Sequence, residues 1–283
     1  MDKISGTASI IFAAGRGTRM TGYDGNKTLL PLIPGRSLYE GTRPLIVEVL
    51  DNLPPGPKAI VVNYLEEDVR RATANRGIFY TRQPVTNGTG GALLAARPFL
   101  DSTDADSVII TMGDVPFIRP ATYGRLLELL RRHDLGLLGF ECEDSAHYGM
   151  IEAEGERVMG IIEWKYWKDF PEQRLSRLKC CNAGVYAVRK AALLIYMDRM
   201  AGMPHQVRKH LNGEWVTIEE YFLTDLAEMM NGDGLMVGMT SAQAREAIGV
   251  DTPEALETAQ ELYAAAALPK LSDNSLPPQQ PNE

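Results

Sequence analysis

Short, nearly continuous apolar runs recur along the chain, and glycine, proline and polar residues stand between them. Runs of this length and character are typical of parallel strands that are buried on both faces of a sheet. The predicted strands are residues 8–14, 59–62, 108–112, 135–140, 184–188 and 235–239.

Helical spacing of apolar side chains appears between these runs. Residues 46–53 carry apolar side chains at i, i+3, i+4 and i+7, which predicts a helix with one buried face, and Pro44 suits its start. In the last predicted helix, Thr252 can cap the amino end and Pro253 fits the first turn. Similar patterns cover residues 93–100, 123–130 and 222–230.

Strands that alternate with helices predict an α/β fold of the Rossmann-like, three-layer α/β/α type, with a mixed but mostly parallel central sheet. Residues 150–163 break this alternation, because two β-like runs flank Glu154-Gly155-Glu156 and predict a β-hairpin. We expect one domain over residues 1–268. Residues 269–283 are rich in Pro, Ser, Asn and Gln, which predicts a disordered tail.

Composition narrows the class of protein. The 283 residues are 45% hydrophobic and 23% charged, as in an ordinary globular protein, and the net charge of −8 argues against general binding to nucleic acid. No run approaches the about 20 apolar residues of a membrane helix, and no signal peptide is visible, so we expect a cytoplasmic enzyme without a membrane partner. The three cysteines and four histidines show no metal-ligand spacing.

A glycine-containing loop, residues 15–20 (GRGTRM), directly follows the first predicted strand. Glycines let the backbone approach a ligand, and clustered N–H groups can hold phosphate. Met20 occupies the third glycine position of a dinucleotide fingerprint, and no Gly-Lys-Ser/Thr of a Walker A loop follows. A simple tight turn is the alternative, but Arg16, Arg19 and Lys27 add cations that suit phosphate.

The string AAGRGTRM, followed by Lys27 and then LLPL, resembles the signature of the sugar-nucleotide pyrophosphorylases, and most of all the N-acetylglucosamine-1-phosphate uridyltransferase group. The sequence departs from that signature at Asn26, where the family usually has proline, and by one extra residue between Met20 and Lys27. The resemblance implies that Arg19 and Lys27 are catalytic. It also implies a nucleotide-binding loop that contains Ala13, Ala14, Gly15, Gly17 and Thr18.

Three later segments are similar to the family's nucleotide and metal motifs. Gln83, with Gly88 and Thr89, matches the segment that reads the base, although a turn with a helix cap is an equal alternative for residues 87–90. Asp114 matches the Gly-Asp-x-Pro metal carboxylate, with Met112 where the uridyltransferases often have tyrosine. Asp251 follows Gly-Val, where the uridyltransferases have a metal-binding asparagine. Either carboxylate can instead belong to a turn or a helix cap.

Motifs from the second half of the chain resemble the family's sugar site. They imply a β-hairpin substrate subdomain, with NTP bound by residues of about 1–118 and sugar by residues of about 119–268. Carboxylate and amide groups are natural partners of hydroxyls, and the alternatives are ordinary strand and turn residues. The implied substrate-binding residues are Gly149, Glu163, Asn182 and Thr224.

The resemblance implies a Mg²⁺-dependent nucleotidyltransferase that moves UMP from UTP to an N-acetylhexosamine 1-phosphate and releases pyrophosphate, with NTP and sugar phosphate as its partners. A cytidylyltransferase that acts on a phosphorylated alcohol such as phosphocholine is the enzymatic alternative. A non-catalytic, nucleotide-sensing regulator is the alternative of another class, and the presence of both cations and both carboxylates argues against it. No hexapeptide repeat is visible, so acetyl transfer is not expected.

Overall fold

The computed structural model describes residues 6–141, 147–154, 157–211 and 214–272. Its strands are β1 (Thr7–Ala13), β2 (Pro31–Ser37), β3 (Glu40–Pro44), β4 (Lys58–Val62), β5 (Ile78–Arg82), β6 (Ser107–Met112), β7 (Leu135–Phe140), β8 (Met150–Glu154), β9 (Arg157–Ile162), β10 (Cys181–Arg189), β11 (His205–Leu211), β12 (Glu214–Glu220) and β13 (Val237–Ala242).

Helices connect most of these strands. They are α1 (Leu45–Asn52), α2 (Glu66–Ala72), α3 (Gly88–Ala95), α4 (Arg97–Asp101), α5 (Pro120–Leu129), α6 (Trp164–Trp167), α7 (Glu172–Leu175), α8 (Lys190–Ala201), α9 (Asp225–Gly232) and α10 (Pro253–Ser272), with short 3₁₀ helices at Lys27–Leu29 and Ala244–Glu246.

The central sheet has the strand order β13-β7-β10-β6-β1-β4-β5, and β8 and β9 extend it beside β10. Strand β1 runs parallel to β4 and β6, and β7 runs parallel to β13, whereas β10 is antiparallel to both of its neighbours. The prediction of a mixed, mostly parallel sheet is therefore confirmed. Each of the six predicted apolar runs overlaps a strand of this sheet, although the run 235–239 begins two residues before β13.

Alternate residues of β1 face opposite helix layers. Ile10 is completely buried in a cluster that contains side chains of α3, α4, α8 and α9. Ile11, its neighbour, is completely buried in a second cluster with side chains of α1 and α5. A strand covered on both faces has no polar face, which explains why residues 10–13 of β1 are all apolar and confirms the three-layer prediction.

Two exposed hairpins carry no clear sequence signal. Strands β2 and β3 pair with each other, as do β11 and β12, each in a separate two-stranded sheet. The predicted hairpin at 150–163 is confirmed as the antiparallel pair β8–β9, although Gly155 and Glu156 lie outside the described residues. The predicted helix 93–100 is divided into α3 and α4 at Ala96.

The predicted cap of the last helix is confirmed, because the Ala255 amide donates to Thr252 Oγ1 at 3.2 Å. Helix α10 continues through 269–272, the first four residues of the predicted tail, and residues 273–283 lie outside the described part of the chain, as does Cys142. Within the described ranges, the helices are too short or too polar to cross a membrane.

Candidate active site

A cleft of about 560 Å³ opens at the end of β6, and the residues that flank the β8–β9 hairpin, together with the first residues of β10, line its far side. It brings together nine of the predicted site residues from segments that are distant in the chain. They are Arg19, Lys27, Thr89, Asp114, Gly149, Glu163, Asn182, Thr224 and Asp251.

Lysine 27 reaches the cleft by crossing the glycine loop. Gly17 has φ +64°, in the left-handed region that favours glycine. A Cβ at Gly17 would lie 3.0 Å from Cδ and 3.1 Å from Cβ of Lys27. Any larger residue at this position would therefore push the lysine stem away, so Gly17 contributes to the site by leaving room for Lys27.

Two ion pairs between residues that are distant in the sequence join the predicted cations to the predicted metal carboxylates. Arg19 Nη1 lies 2.6 Å from Asp251 Oδ2, and the Lys27 ammonium contacts the Asp114 carboxylate. The backbone supports this arrangement, because the Val250 amide donates to the Asp114 carbonyl at 2.8 Å. The loop after β6 and the segment before α10 are thus joined directly, and the four charges balance one another in the cleft.

The opposite wall carries an ordered set of polar groups. Thr224 Oγ1 donates to Glu163 Oε1 at 2.8 Å, and Asn182 Nδ2 donates to the Tyr186 hydroxyl at 2.7 Å. The Gly184 amide donates to Asn182 Oδ1 at 3.1 Å, where the β10–β7 register shifts. Burial raises the pKa of Tyr186, so its phenol stays protonated. Each side chain is therefore oriented before a ligand arrives.

The segment predicted to read the base is tied into the fold. Gln83 is buried, and its Nε2 donates to Asn87 Oδ1 and to the Gly88 carbonyl, both at 3.1 Å. Thr89 Oγ1 accepts from the Leu223 amide at 3.1 Å and lines the cleft. Both amide hydrogens of Gln83 are thus used inside its own loop, and its base-reading role stays a prediction.

The remaining nucleotide-site predictions fall outside the cleft lining. Ala13, Ala14, Gly15, Gly17, Thr18, Gln83 and Gly88 are not among the residues that form its wall. Conversely, sequence reasoning did not assign Tyr186 or His147, which both line the cleft. Tyr186 ends the Asn-x-Gly-Val-Tyr motif and could have been found there, whereas His147 adopts φ +72° and packs against Trp164, with ring centroids 4.6 Å apart and ring planes tilted by 46°. No sequence pattern indicates that contact.

A buried carboxylate anchors the segment that leads to Asp251. Glu246 is 3% exposed, accepts from Thr122 Oγ1 at 2.7 Å and is paired with the Arg119 guanidinium. Burial by itself raises the pKa of Glu246, but the hydrogen bonds from Arg119 and Thr122 outweigh it and hold the pKa below its ordinary value of 4.5. The charged form therefore stabilises the fold close to the cleft.

Replacing Glu246 with glutamine is expected to lower the free energy of unfolding at neutral pH by roughly 1–3 kcal/mol, because a hydrogen bond to a charged group is lost. The folded pKa is the lower one, so this contribution is present above pH 4.5 and disappears as the pH falls through the folded value. Urea unfolding at pH 7 and pH 3 measures the difference, with exposed Glu257→Gln as the control. An equal deficit at both pH values would contradict this account.

A model of the MobA-like NTP transferase domain matches residues 9–193, which include the glycine loop, Lys27, Asp114 and Asn182. The chain belongs to this family. It is accordingly a transferase of the nucleotidyltransferase type, as the loop signature and the later motifs predicted. The non-catalytic alternative loses its support, since both cations and both carboxylates lie in one cleft.

Curated relatives of this transferase agree with the predicted resemblance. The bifunctional protein GlmU of Ruegeria sp. (strain TM1040) is 32% identical over 269 residues, which cover 94% of this chain and 55% of that protein. The bifunctional protein GlmU of Cereibacter sphaeroides (strain ATCC 17023) is 32% identical over 256 residues, which cover 89% and 51%. The chain therefore spans about half the length of the relatives that it matches.

Solved structures share the fold of this transferase at low sequence identity. A CMP:2-keto-3-deoxy-manno-octonic acid synthetase complexed with CTP has a TM-score of 0.61 and 18% identity, covering 93% of this chain and 100% of that one. A Bacillus anthracis protein assigned as a glucose-1-phosphate thymidylyltransferase, in complex with sucrose, has a TM-score of 0.66 and 17% identity, covering 91% and 95%. The fold class is therefore confirmed.

Proposed function

We propose that this nucleotidyltransferase transfers UMP from UTP to a sugar 1-phosphate, in particular an N-acetylhexosamine 1-phosphate, and releases pyrophosphate. The observation that carries the proposal is the composition of one cleft, with Arg19 and Lys27 on one wall and Glu163 and Asn182 on the other. A cationic wall suits a triphosphate, and a carboxylate–amide wall suits the hydroxyls and amide of a sugar. The GlmU relatives, which belong to the uridyltransferase group, support the same pair of substrates.

In the proposed reaction, the protein contributes mainly by positioning the two substrates and by stabilising negative charge. A phosphate oxygen of the acceptor attacks the α-phosphorus of UTP, the bond from that phosphorus to the bridging oxygen breaks, and pyrophosphate leaves with the electron pair. The attacking oxygen is already anionic, so no general base is required. Arg19 and Lys27 then stabilise the charge that builds up on the phosphate oxygens.

Asp114 and Asp251 are the residues that would hold a divalent cation, for which we propose Mg²⁺. Among the described residues, no three His, Cys, Asp or Glu side chains form a complete metal site. Two carboxylates nevertheless fit Mg²⁺, which commonly takes one or two carboxylates and completes its shell with water and substrate phosphates. When bound, the ion would polarise the phosphoryl oxygens. The same two carboxylates pair with Arg19 and Lys27, which keeps both cations beside the proposed metal position.

We expect UTP to be used in preference to ATP and GTP, because a purine needs a larger base site than a pyrimidine. The test is a matrix of nucleoside triphosphates against phosphorylated acceptors, including phosphocholine, with pyrophosphate release as the signal and mass spectrometry to identify the product. Reaction mixtures without enzyme, and mixtures without acceptor, serve as the blanks. A dominant product from GTP or ATP would overturn the uridyltransferase proposal, and a CDP-alcohol product would replace the sugar as acceptor.

A further inference from the structure

Asparagine 26 does not line the cleft, but it directly precedes Lys27, which does. The Asn26 side chain is completely buried and makes four hydrogen bonds. Nδ2 donates to the carbonyls of Ala13 at 2.9 Å and Tyr64 at 2.8 Å. Oδ1 accepts from the Thr28 amide at 3.0 Å and from Thr28 Oγ1 at 2.8 Å. One amide thus joins the end of β1, the segment after β4 and the short helix that carries Lys27.

These bonds act directly on the position of Lys27. Asn26 is the N-cap of the 3₁₀ helix Lys27–Leu29, and its bond to the Thr28 amide sets the first turn of that helix. Lys27 lies between the capping residue and Thr28, so its backbone is held on both sides. The direction in which the ammonium leaves the loop therefore depends on the Asn26 amide.

The same anchor reaches Asp114 through packing. Thr28 is buried, and a Cβ at Gly113 would lie 2.9 Å from Thr28 Cγ2, so the loop after β6 fits closely against this side chain. Gly113 directly precedes Asp114, whose carboxylate contacts the Lys27 ammonium. A shift of Thr28 would consequently move both members of that ion pair.

We propose that Asn26 is a positioning residue that holds Lys27 and Asp114 in the relative positions needed to bind the nucleoside triphosphate. The inference rests on the proposed function in one respect, namely that Lys27 acts on the NTP phosphates. Proline, which the resembling family usually carries at this position, has no side-chain donor or acceptor. This chain therefore holds its catalytic lysine by side-chain hydrogen bonds to the backbone that a proline could not make.

The matched control is Gln260, a second buried amide that bridges two backbone carbonyls. Its Nε2 donates to the carbonyls of Pro31 and Leu38, both at 2.9 Å, and it does not line the cleft. Asn26→Asp and Gln260→Glu each replace a bridging NH₂ by oxygen, and each leaves at least one buried carbonyl without its donor. The two variants are thus comparable in their effect on the fold and differ in their distance from Lys27.

We expect Asn26→Asp to weaken UTP binding by roughly 10- to 100-fold, the scale of one or two misplaced charge-assisted hydrogen bonds, and to weaken UMP binding much less. Gln260→Glu should bind both nucleotides as the wild type does. Calorimetric titrations of UTP and UMP into the wild type and the two variants, at a temperature where thermal melts show every protein folded, give the six dissociation constants. If Asn26→Asp does not fold, Thr28→Val replaces it as the test variant, because it removes only the hydroxyl bond to Asn26 Oδ1. Thr28→Val should weaken UTP binding by a few-fold.

A double-mutant cycle separates positioning from general stability. On a Lys27→Ala background, Asn26→Asp should cause little further loss of UTP binding, because the residue acts through the lysine. Additive losses, wild-type UTP binding in Asn26→Asp, or an equal loss in Gln260→Glu would overturn the inference. These constants do not depend on turnover, so a wild-type protein that binds UTP but releases no pyrophosphate with any acceptor would refute the proposed reaction and leave the positioning result standing.

Discussion

Asp114→Asn is expected to lower turnover by about a thousand-fold or more while the protein stays folded, a scale set by the loss of metal-assisted charge stabilisation at a phosphoryl centre. Asparagine has nearly the same shape as aspartate, and the backbone bond from Val250 to the Asp114 carbonyl does not involve the side chain. The change therefore removes a charge from the cleft with little change in packing. Single-turnover pyrophosphate release, with circular dichroism as the check on folding, measures the effect.

The ion pair between Lys27 and Asp114 adds a second signature to this variant. Without the carboxylate, the Lys27 ammonium no longer has to leave a partner before it meets a phosphate. In EDTA, Asp114→Asn should therefore bind UTP at least as tightly as the wild type, whereas added Mg²⁺ should strengthen binding less than it does in the wild type. The control is Asp198→Asn, which removes an exposed carboxylate paired with Arg97 outside the cleft. Near-normal turnover in Asp114→Asn would remove this residue from the proposed site.

The second large effect is expected because the two walls of the cleft bind different substrates, UTP on one wall and the sugar phosphate on the other. Lys27→Ala should weaken UTP binding, because it removes a cation from beside several negative charges. Asn182→Ala should leave UTP binding nearly intact and weaken the binding of the sugar phosphate by roughly 1–3 kcal/mol, the cost of leaving a polar partner unpaired. The structure supports this separation, since Lys27 follows the glycine loop and Asn182 opens β10 on the opposite wall.

Calorimetry can resolve the two effects without turnover. UTP is titrated into each variant in the absence of acceptor, and sugar 1-phosphate is titrated into the same variants combined with Asp114→Asn. Lys58→Ala, at the amino end of β4, and Asn52→Ala, whose Nδ2 donates to the Pro116 carbonyl, are the matched controls outside the cleft. A variant of Asn182 that lost UTP binding and kept sugar binding would reverse the assignment of the two walls.

Much of the fold could be predicted from the sequence, because a central strand of a three-layer protein is buried on both faces and therefore has a nearly continuous apolar sequence. Strand β1 is buried on both faces, so each of its side chains must be apolar or small, and the run stops where the glycine loop begins. The caps and turns were equally local, as Thr252 shows. The candidate site was predicted in part for a related reason, since its motifs stand at strand ends, where a parallel sheet collects its ligands.

The β2–β3 and β11–β12 hairpins were not predicted from the sequence, because a two-stranded ribbon at the surface needs no apolar run. Strand β2 contains two prolines and a glycine, which a central strand would exclude. Its position is decided by distant partners, among them Gln260, which donates to the carbonyls of Pro31 and Leu38. Elements of this kind are determined by what they pack against.

The partners inside the site also came from tertiary structure alone. The sequence placed Arg19, Lys27, Asp114 and Asp251 at strand ends, but which cation faces which carboxylate depends on how the loops pack. The sequence showed Asn26 only as a departure from a motif, whereas in the fold its side chain donates to two backbone carbonyls, those of Ala13 and Tyr64. A periodic pattern reports which face of an element is buried. Hydrogen-bond partners across the chain are set by three-dimensional packing, because each buried polar group must find one.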